Sequence, residues 1–211
     1  MSFLFQLKCL SERFKDTILR GKSVLFRLSD SISFNIDSRS LISFANFLNS
    51  ESKREIDNFI SLTKNKTCLL DIGAYHGLFS LVFTANCPWK SAYAFDPSPR
   101  VFDFLAFNAK VNPGNNIKVH KCIMGDADAS VLMKFESINQ LSAIGKNESV
   151  KKSKQVRIIE AETIDQFVKK NSVQPDVIKI DTEGFEYQVL RGGGRLYKKL
   201  QPVNFSRDSS P

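Results

Sequence analysis

The 211-residue chain is poor in the residues that build metal and redox centres: it has two histidines, four cysteines and one tryptophan. Cys9, Cys68, Cys87 and Cys122 form no C-x-x-C pair, and no histidine stands at a zinc-site spacing from them. No metal site is therefore expected, and a reduced, cytoplasmic protein is the simplest reading. No apolar run approaches the roughly 18 residues needed to cross a bilayer. The start, Met1 to Lys8, is interrupted by Gln6 and Lys8 and lacks a small-residue cleavage site, so a signal peptide is not expected. Internal repeats are missing. So is G-x-G-x-x-G, which argues against a nicotinamide oxidoreductase. No Asn-Pro-Pro-Tyr-type amine-binding motif appears, which argues against a nucleic-acid methylase despite the favourable charge.

Phenylalanine, by contrast, occurs 18 times, which points to a Phe-rich core. Hydrophobic residues make up 42% and charged residues 25%, so disorder, collagen and coiled coil are excluded. The net charge is +8, but the basic residues are scattered, and a solvated basic surface accounts for them.

Residues 1–66 read as a helical segment. Phe14, Ile18, Leu25 and Leu28 recur at roughly helical spacing, and Ser52 with Glu55 suggests a capping box. Such a basic amphipathic start would pack on the domain, cover the site or touch a membrane surface. From Thr67 the texture changes. Buried parallel strands are expected at Thr67–Gly73, Ser91–Phe95, Ile117–Met124 and Val177–Ile180. Helices are expected from Leu78, from Pro99 with Ser98 as N-cap, from Thr163 with Gln166, and before Gly192. Ala129–Phe135 and Gln155–Ile159 read as an extra hairpin with a polar loop between them. The alternation implies a doubly wound α/β sheet.

Ligands bind such sheets at the carboxyl ends of the strands. All four strand tips here carry acids: Asp71, Asp96, Asp126, and Asp181 with Glu183. Carboxylates sharing one cleft repel one another, so a cationic ligand would offset a real cost. The first tip reads D-x-G-x-x-x-G, with Gly73 and Gly77 permitting a tight strand-to-helix turn. Asp96 occupies the ribose-binding position about 20 residues further on. S-adenosylmethionine supplies what these acids need: a sulfonium, an ammonium and a ribose diol. A dinucleotide would bring a pyrophosphate, which Asp71 would repel. Lys179, inside a buried run, needs an acid partner, and Asp71 or Asp181 is the candidate.

The segments LLDIGAYHGLFS (Leu69–Ser80), YAFDPSP (Tyr93–Pro99), CIMGDAD (Cys122–Asp128) and DVIKIDTEGFEYQVLRGG (Asp176–Gly193) resemble the FkbM family of S-adenosylmethionine-dependent methyltransferases. The resemblance runs from about Lys53 to Pro202. It implies a class I, Rossmann-like methyltransferase fold in 67–211 and methyl transfer to a hydroxyl of a small molecule or glycan. Tyr75 stands where the family often has Asn, and Asp96 where it often has Glu. The family normally continues with further strands, so the sheet is expected to lack its C-terminal strands, and a non-catalytic, cofactor-binding homologue stays open as an alternative. Expected cofactor contacts are Asp71, Gly73, Ala74, Tyr75, His76, Gly77, Asp96, Pro97 and Asp126. Asp181 and Glu183 face the expected acceptor position. Of these two, Asp181 is favoured as the base because a hydroxyl needs somewhere to deliver its proton.

Overall fold

A computed structural model of the chain describes residues 19–127, 129–135, 141–144 and 156–198, with side chains described for 19–127 and 159–198. The expected helix around Phe14 and Ile18, Cys9, most of the polar loop, and the tail at 199–211 lie outside the described residues.

The first described elements correct the sequence reading. Strands β1 (Ser23–Arg27) and β2 (Ser33–Asp37) form an antiparallel hairpin where a helix was expected. The spacing of Leu25 and Leu28 was misleading, because Leu25 is 57% exposed while Phe26, Phe34 and Ile36 are buried. The buried set follows the period of two that a one-sided hairpin imposes. A 3-10 turn (Ser38–Ser40), helix α1 (Leu41–Asn46) and helix α2 (Ser50–Leu62) follow. The N-cap of α2 is Asn49, whose side chain accepts from the Ser52 amide; Ser52 and Glu55 do not begin the helix.

Beyond residue 67 the expected doubly wound architecture is present. The elements are β3 (Cys68–Ile72), α3 (Leu78–Thr84), β4 (Ser91–Phe95), α4 (Pro99–Lys110) and β5 (Asn116–His120). Then come β6 (Ile123–Gly125), β7 (Ala129–Phe135), β8 (Leu141–Ile144) and β9 (Val156–Thr163). The last are α5 (Ile164–Asn171), β10 (Val177–Ile180), α6 (Glu186–Gly192) and α7 (Gly194–Tyr197). A parallel sheet has the order β10-β3-β4-β5. Its order reverses between β3 and β10, which places a topological switch point at their carboxyl ends. All five residues of β3 are buried, which is why that strand reads as one apolar run.

The expected third strand is in fact two strands. β5 stays in the parallel sheet, whereas β6 joins a second sheet of order β6-β9-β7-β8. Only Lys121 and Cys122 separate the two strands, too short a break for the sequence pattern to mark the change of partner. The expected excursion is present, β7 pairing antiparallel with β9, but the stretch between them is not all loop, since β8 pairs antiparallel with β7. Thr163 caps α5 as expected, its hydroxyl accepting from the Gln166 amide; it also donates to Gln166 Oε1, which takes the place of the reciprocal bond of a full capping box.

Two apolar clusters flank the parallel sheet. Leu69 packs on one side with Phe26, Phe34, Phe44, Phe59, Phe79 and Phe83. Leu70 packs on the other with Ile72, Phe95, Phe167 and Ile178. Neighbouring strand residues point to opposite faces, so one short run feeds both clusters. The hairpin thus shares a core with the sheet. It is also tied to α4 through Asn108, which accepts from the Asp37 amide, and to the turn after α4, where Asn112 accepts from the Asn35 amide at 2.8 Å and donates to the Asn35 carbonyl at 2.6 Å. Among the described residues no helix is long and apolar enough to cross a membrane.

Candidate functional site

Backbone approach between the β3 and β10 tips builds the centre of the site. The Asp181 amide donates to the Ile72 carbonyl, continuing the ladder past β10. Gly73 has φ +75°, and a Cβ built there would stand 1.9 Å from the Asp181 carbonyl oxygen. Only glycine fits both the conformation and the contact. The amides of Gly73 and Ala74 both donate to the Phe95 carbonyl, which draws the loop across the end of β4. Tyr75 takes φ +51° and Gly77 φ +86°, so the turn is wound left-handed at three positions before α3 begins.

Asp96 closes this turn. Its carboxylate, on a residue only 6% exposed, accepts from the Tyr75 amide at 3.1 Å and the Ser98 amide at 2.9 Å. Burial pushes its pKa up to about 7, although both amide hydrogen bonds oppose the rise. Pro97 follows, half-buried, and Ser98 begins α4 without a side-chain cap.

Asp71 is fully buried. Its Oδ2 accepts from the Ser80 hydroxyl at 2.7 Å and the Ser80 amide at 3.1 Å. Its Oδ1 accepts no hydrogen bond but has the Lys179 ammonium 3.5 Å away. Lys179 is the register partner of Asp71 in β10, and its ammonium also lies 3.5 Å from Asp181 Oδ2 and 4.8 Å from the Phe79 ring centroid. The buried ammonium therefore has both of the acids proposed for it. Ser80 was not singled out from the sequence, although its place nine residues after Asp71, on the first turn of a helix facing the strand, was a usable signal.

His76 lies inside the fold. Its ring stacks on Tyr75 at 4.0 Å and on Phe104 at 4.6 Å, and burial pushes its pKa down to about 3, so it is neutral. Asp126 follows β6, is partly exposed and pairs with Arg191 of α6 at 3.4 Å.

The acceptor-side loop is held by Glu186. Its carboxylate accepts from the Thr182 amide and hydroxyl and from the Gly184 amide, at 2.9 to 3.1 Å. Partial burial works against ionisation, but these hydrogen bonds outweigh it and hold the carboxyl below its ordinary value. With Glu186 bracing the turn, Glu183 projects into solvent at φ +52° and Asp181 stays partly exposed at the tip. Asp71, Asp96 and Asp181 thus converge on neighbouring parallel tips, linked by Gly73. Among the described residues no group of three or more His, Cys, Asp or Glu could hold a metal ion.

Residues 71–206 match the family model described as the methyltransferase FkbM domain. Methyltransferase 1 of Beauveria bassiana is 25% identical over 142 residues, covering 59% of this chain and 57% of that protein. Hexuronic acid methyltransferase AglP of Haloferax volcanii is 30% identical over 139 residues, covering 65% of this chain and 53% of that protein. The chain therefore spans little more than half the length of these relatives. The FkbM methyltransferase of Methylobacillus flagellatus KT superposes with a TM-score of 0.47 at 16% identity, covering 79% of this chain and 42% of that one.

Proposed function

The chain belongs to the FkbM methyltransferase family, and from that premise we propose that it transfers a methyl group from S-adenosylmethionine to a hydroxyl oxygen of a small molecule or glycan. The observation that carries this reading is the buried Asp96 carboxylate, held at the β4 tip by the amides of Tyr75 and Ser98. An ionised carboxylate with lone pairs left over is a strong acceptor for the two hydroxyls of a ribose. The donor set fits this cofactor at Asp96 and at the glycine turn, which lets backbone approach closely; Asp71, expected as a cofactor contact, is instead fully buried and compensated by Lys179. Asp96 with Pro97 would hold the ribose, and Gly73, Ala74, Tyr75 and Gly77 would line the methionyl part. Asp126 would accept from the adenine amino group. A relative named for a hexuronic acid substrate supports a sugar-bearing acceptor. On the same reading, 67–211 carries the transfer and the preceding part covers it.

When bound, S-adenosylmethionine supplies an electrophilic methyl group. The protein's task is to bring an oxygen nucleophile into line with that methyl and to remove its proton. Asp181 would take that proton: it is partly exposed, and the Lys179 ammonium lies 3.5 Å from its Oδ2. A positioned base contributes on the order of 10²–10⁴ in rate, and alignment of the reacting atoms supplies much of the remainder. Asp71 acts one step back. It fixes Ser80 at the start of α3 and Lys179 beside Asp181, and so ties the cofactor loop to the acceptor side.

The raised pKa of Asp96 sets a test. In the free protein, burial favours the neutral carboxyl. The stability this group contributes is therefore complete below its unfolded value and is lost as pH rises toward about 7. A ribose diol prefers the ionised form, so affinity moves the opposite way. Calorimetry with S-adenosylhomocysteine should show binding about tenfold tighter at pH 8 than at pH 6, as expected for one proton linked near 7. Asp96→Asn should bind weakly with a flat profile. Wild-type binding that ignores pH across this interval would remove Asp96 from the ribose site.

A further inference from the structure

Three residues of the turn after β3 are left-handed: Gly73, Tyr75 and Gly77. A side chain such as that of Tyr75 stays in this conformation only where its surroundings hold it. Two of the holds come from the tip of β4: the Phe95 carbonyl, which accepts from the Gly73 and Ala74 amides, and the Asp96 carboxylate, which accepts from the Tyr75 amide. A third comes from α4, and the proposed transfer does not use it.

Asn108, fully buried on α4, donates from Nδ2 to the His76 carbonyl at 2.8 Å. Its Oδ1 accepts from the Asp37 amide at 2.6 Å. An amide side chain supplies a donor and an acceptor in one rigid plane, and here the donor serves the cofactor turn while the acceptor serves the end of β2. Asp37 is itself fixed, because its buried carboxylate accepts from the Arg39 amide at 2.9 Å and from Arg39 Nε at 3.0 Å. The same helix closes on the turn at Gly77, where a Cβ would stand 2.7 Å from Leu105 Cδ1.

An apolar path runs alongside the polar one. Phe44 of α1 lies 5.4 Å from Phe26 and 6.0 Å from Phe34 of the hairpin, and it also faces the His76 ring at 6.5 Å. His76 stacks in turn on Tyr75 at 4.0 Å. The hairpin therefore reaches the turn twice, through a backbone carbonyl and through a ring. We propose that Asn108 is a positioning residue through which the β1–β2 hairpin holds the cofactor turn in its left-handed form, so that the hairpin sets cofactor affinity as well as covering the domain. The identity of the cofactor rests on the methyl-transfer reading; the hold on the turn does not.

The test uses the full chain, with NMR hydrogen exchange of the free protein and calorimetry with S-adenosylhomocysteine. Asn108→Leu keeps the side-chain shape and removes both hydrogen bonds. Asn112→Ala frees the hairpin at Asn35 and leaves the Asn108 side chain and its bond to His76 in place. In Asn108→Leu the Tyr75 and Gly77 amides should exchange at least about tenfold faster, while the amides within β10 stay within about twofold. In Asn112→Ala the Asn35 amide and the same two turn amides should quicken together, each by about threefold or more. S-adenosylhomocysteine should bind Asn108→Leu about tenfold more weakly. The pH at which its affinity changes should also rise from about 7, since the Tyr75 amide favours the ionised Asp96 carboxyl. Asp71 and Lys179, the charged groups that also act on Asp96, are unchanged in both variants.

Exchange that rises equally in the turn and in β10 would reduce Asn108 to a residue of general stability and overturn the proposal. A faster Asn35 amide beside an unchanged turn in Asn112→Ala would overturn it too, whether or not Asn108→Leu folds. A wild type that binds no S-adenosylhomocysteine, but whose turn loosens in both variants, would support the hold on the turn while ending the methyl-transfer reading.

Discussion

Lys179→Met lowers the unfolding free energy by roughly 3–5 kcal/mol, the usual consequence of removing one partner from a buried ion pair. The size follows from what is left behind. The Asp71 side chain is 1% exposed, and its Oδ1 accepts no hydrogen bond, so the Lys179 ammonium is the charge that balances it. Asp181 loses its partner too, but it is partly exposed and water can replace the contact. The asymmetry gives the prediction a second half. The double variant Asp71→Asn/Lys179→Met should recover much of the loss, because a buried amide costs far less than a buried unpaired carboxylate. Denaturant titration of the two variants checks this. A Lys179→Met protein as stable as wild type would mean that the ammonium does not compensate Asp71.

Gly73→Ala is expected to be nearly as damaging, and in addition to uncouple the cofactor loop. The added methyl would sit 1.9 Å from the Asp181 carbonyl oxygen, a backbone atom that cannot rotate away. The residue must also hold φ +75° with a side chain attached. Overpacking and left-handed strain each cost roughly 1–3 kcal/mol. If the loop shifts to relieve them, the Tyr75 amide moves off Asp96, and S-adenosylhomocysteine affinity should fall more than tenfold. Gly114→Ala is the matched control. Its Cβ would meet nothing within 4 Å, so stability and binding should stay within about 0.5 kcal/mol of wild type. Equal effects at the two positions would show that the backbone approach at Gly73 carries no special weight.

Much of this arrangement was legible in the sequence, for identifiable reasons. The strands of a buried parallel sheet are apolar on both faces, so Cys68–Ile72 and Val177–Ile180 stand out as short uninterrupted runs. Their order places the acids at the tips, and a lysine inside such a run must find a carboxylate. The β1–β2 hairpin was not legible, because exposed Leu25 and half-buried Leu28 mimic a helical stripe. Nor was the break between β5 and β6, since alternation records which face a residue takes and not which strand it pairs with.

The rings of Tyr75 and His76 show a further limit. Both sit in the cofactor turn, but the turn's three left-handed positions send His76 inward against Phe104. A local motif identifies the turn without giving the direction of each side chain. Asp71 is similar. Its place at a strand tip is visible in the sequence, whereas its hydrogen bonds to Ser80 depend on how α3 returns over the strand.

The central claim is that the glycine turn after β3 and the acidic tips of β4 and β10 enclose one pocket for a positively charged nucleoside. Isothermal titration of the full chain at pH 8 with S-adenosylmethionine, S-adenosylhomocysteine and NAD tests it most directly. One site with micromolar affinity for the first two ligands, no heat from NAD, and loss of both interactions in Asp96→Ala is the expected result. Affinity for NAD, or S-adenosylmethionine binding that survives Asp96→Ala unchanged, would contradict the claim.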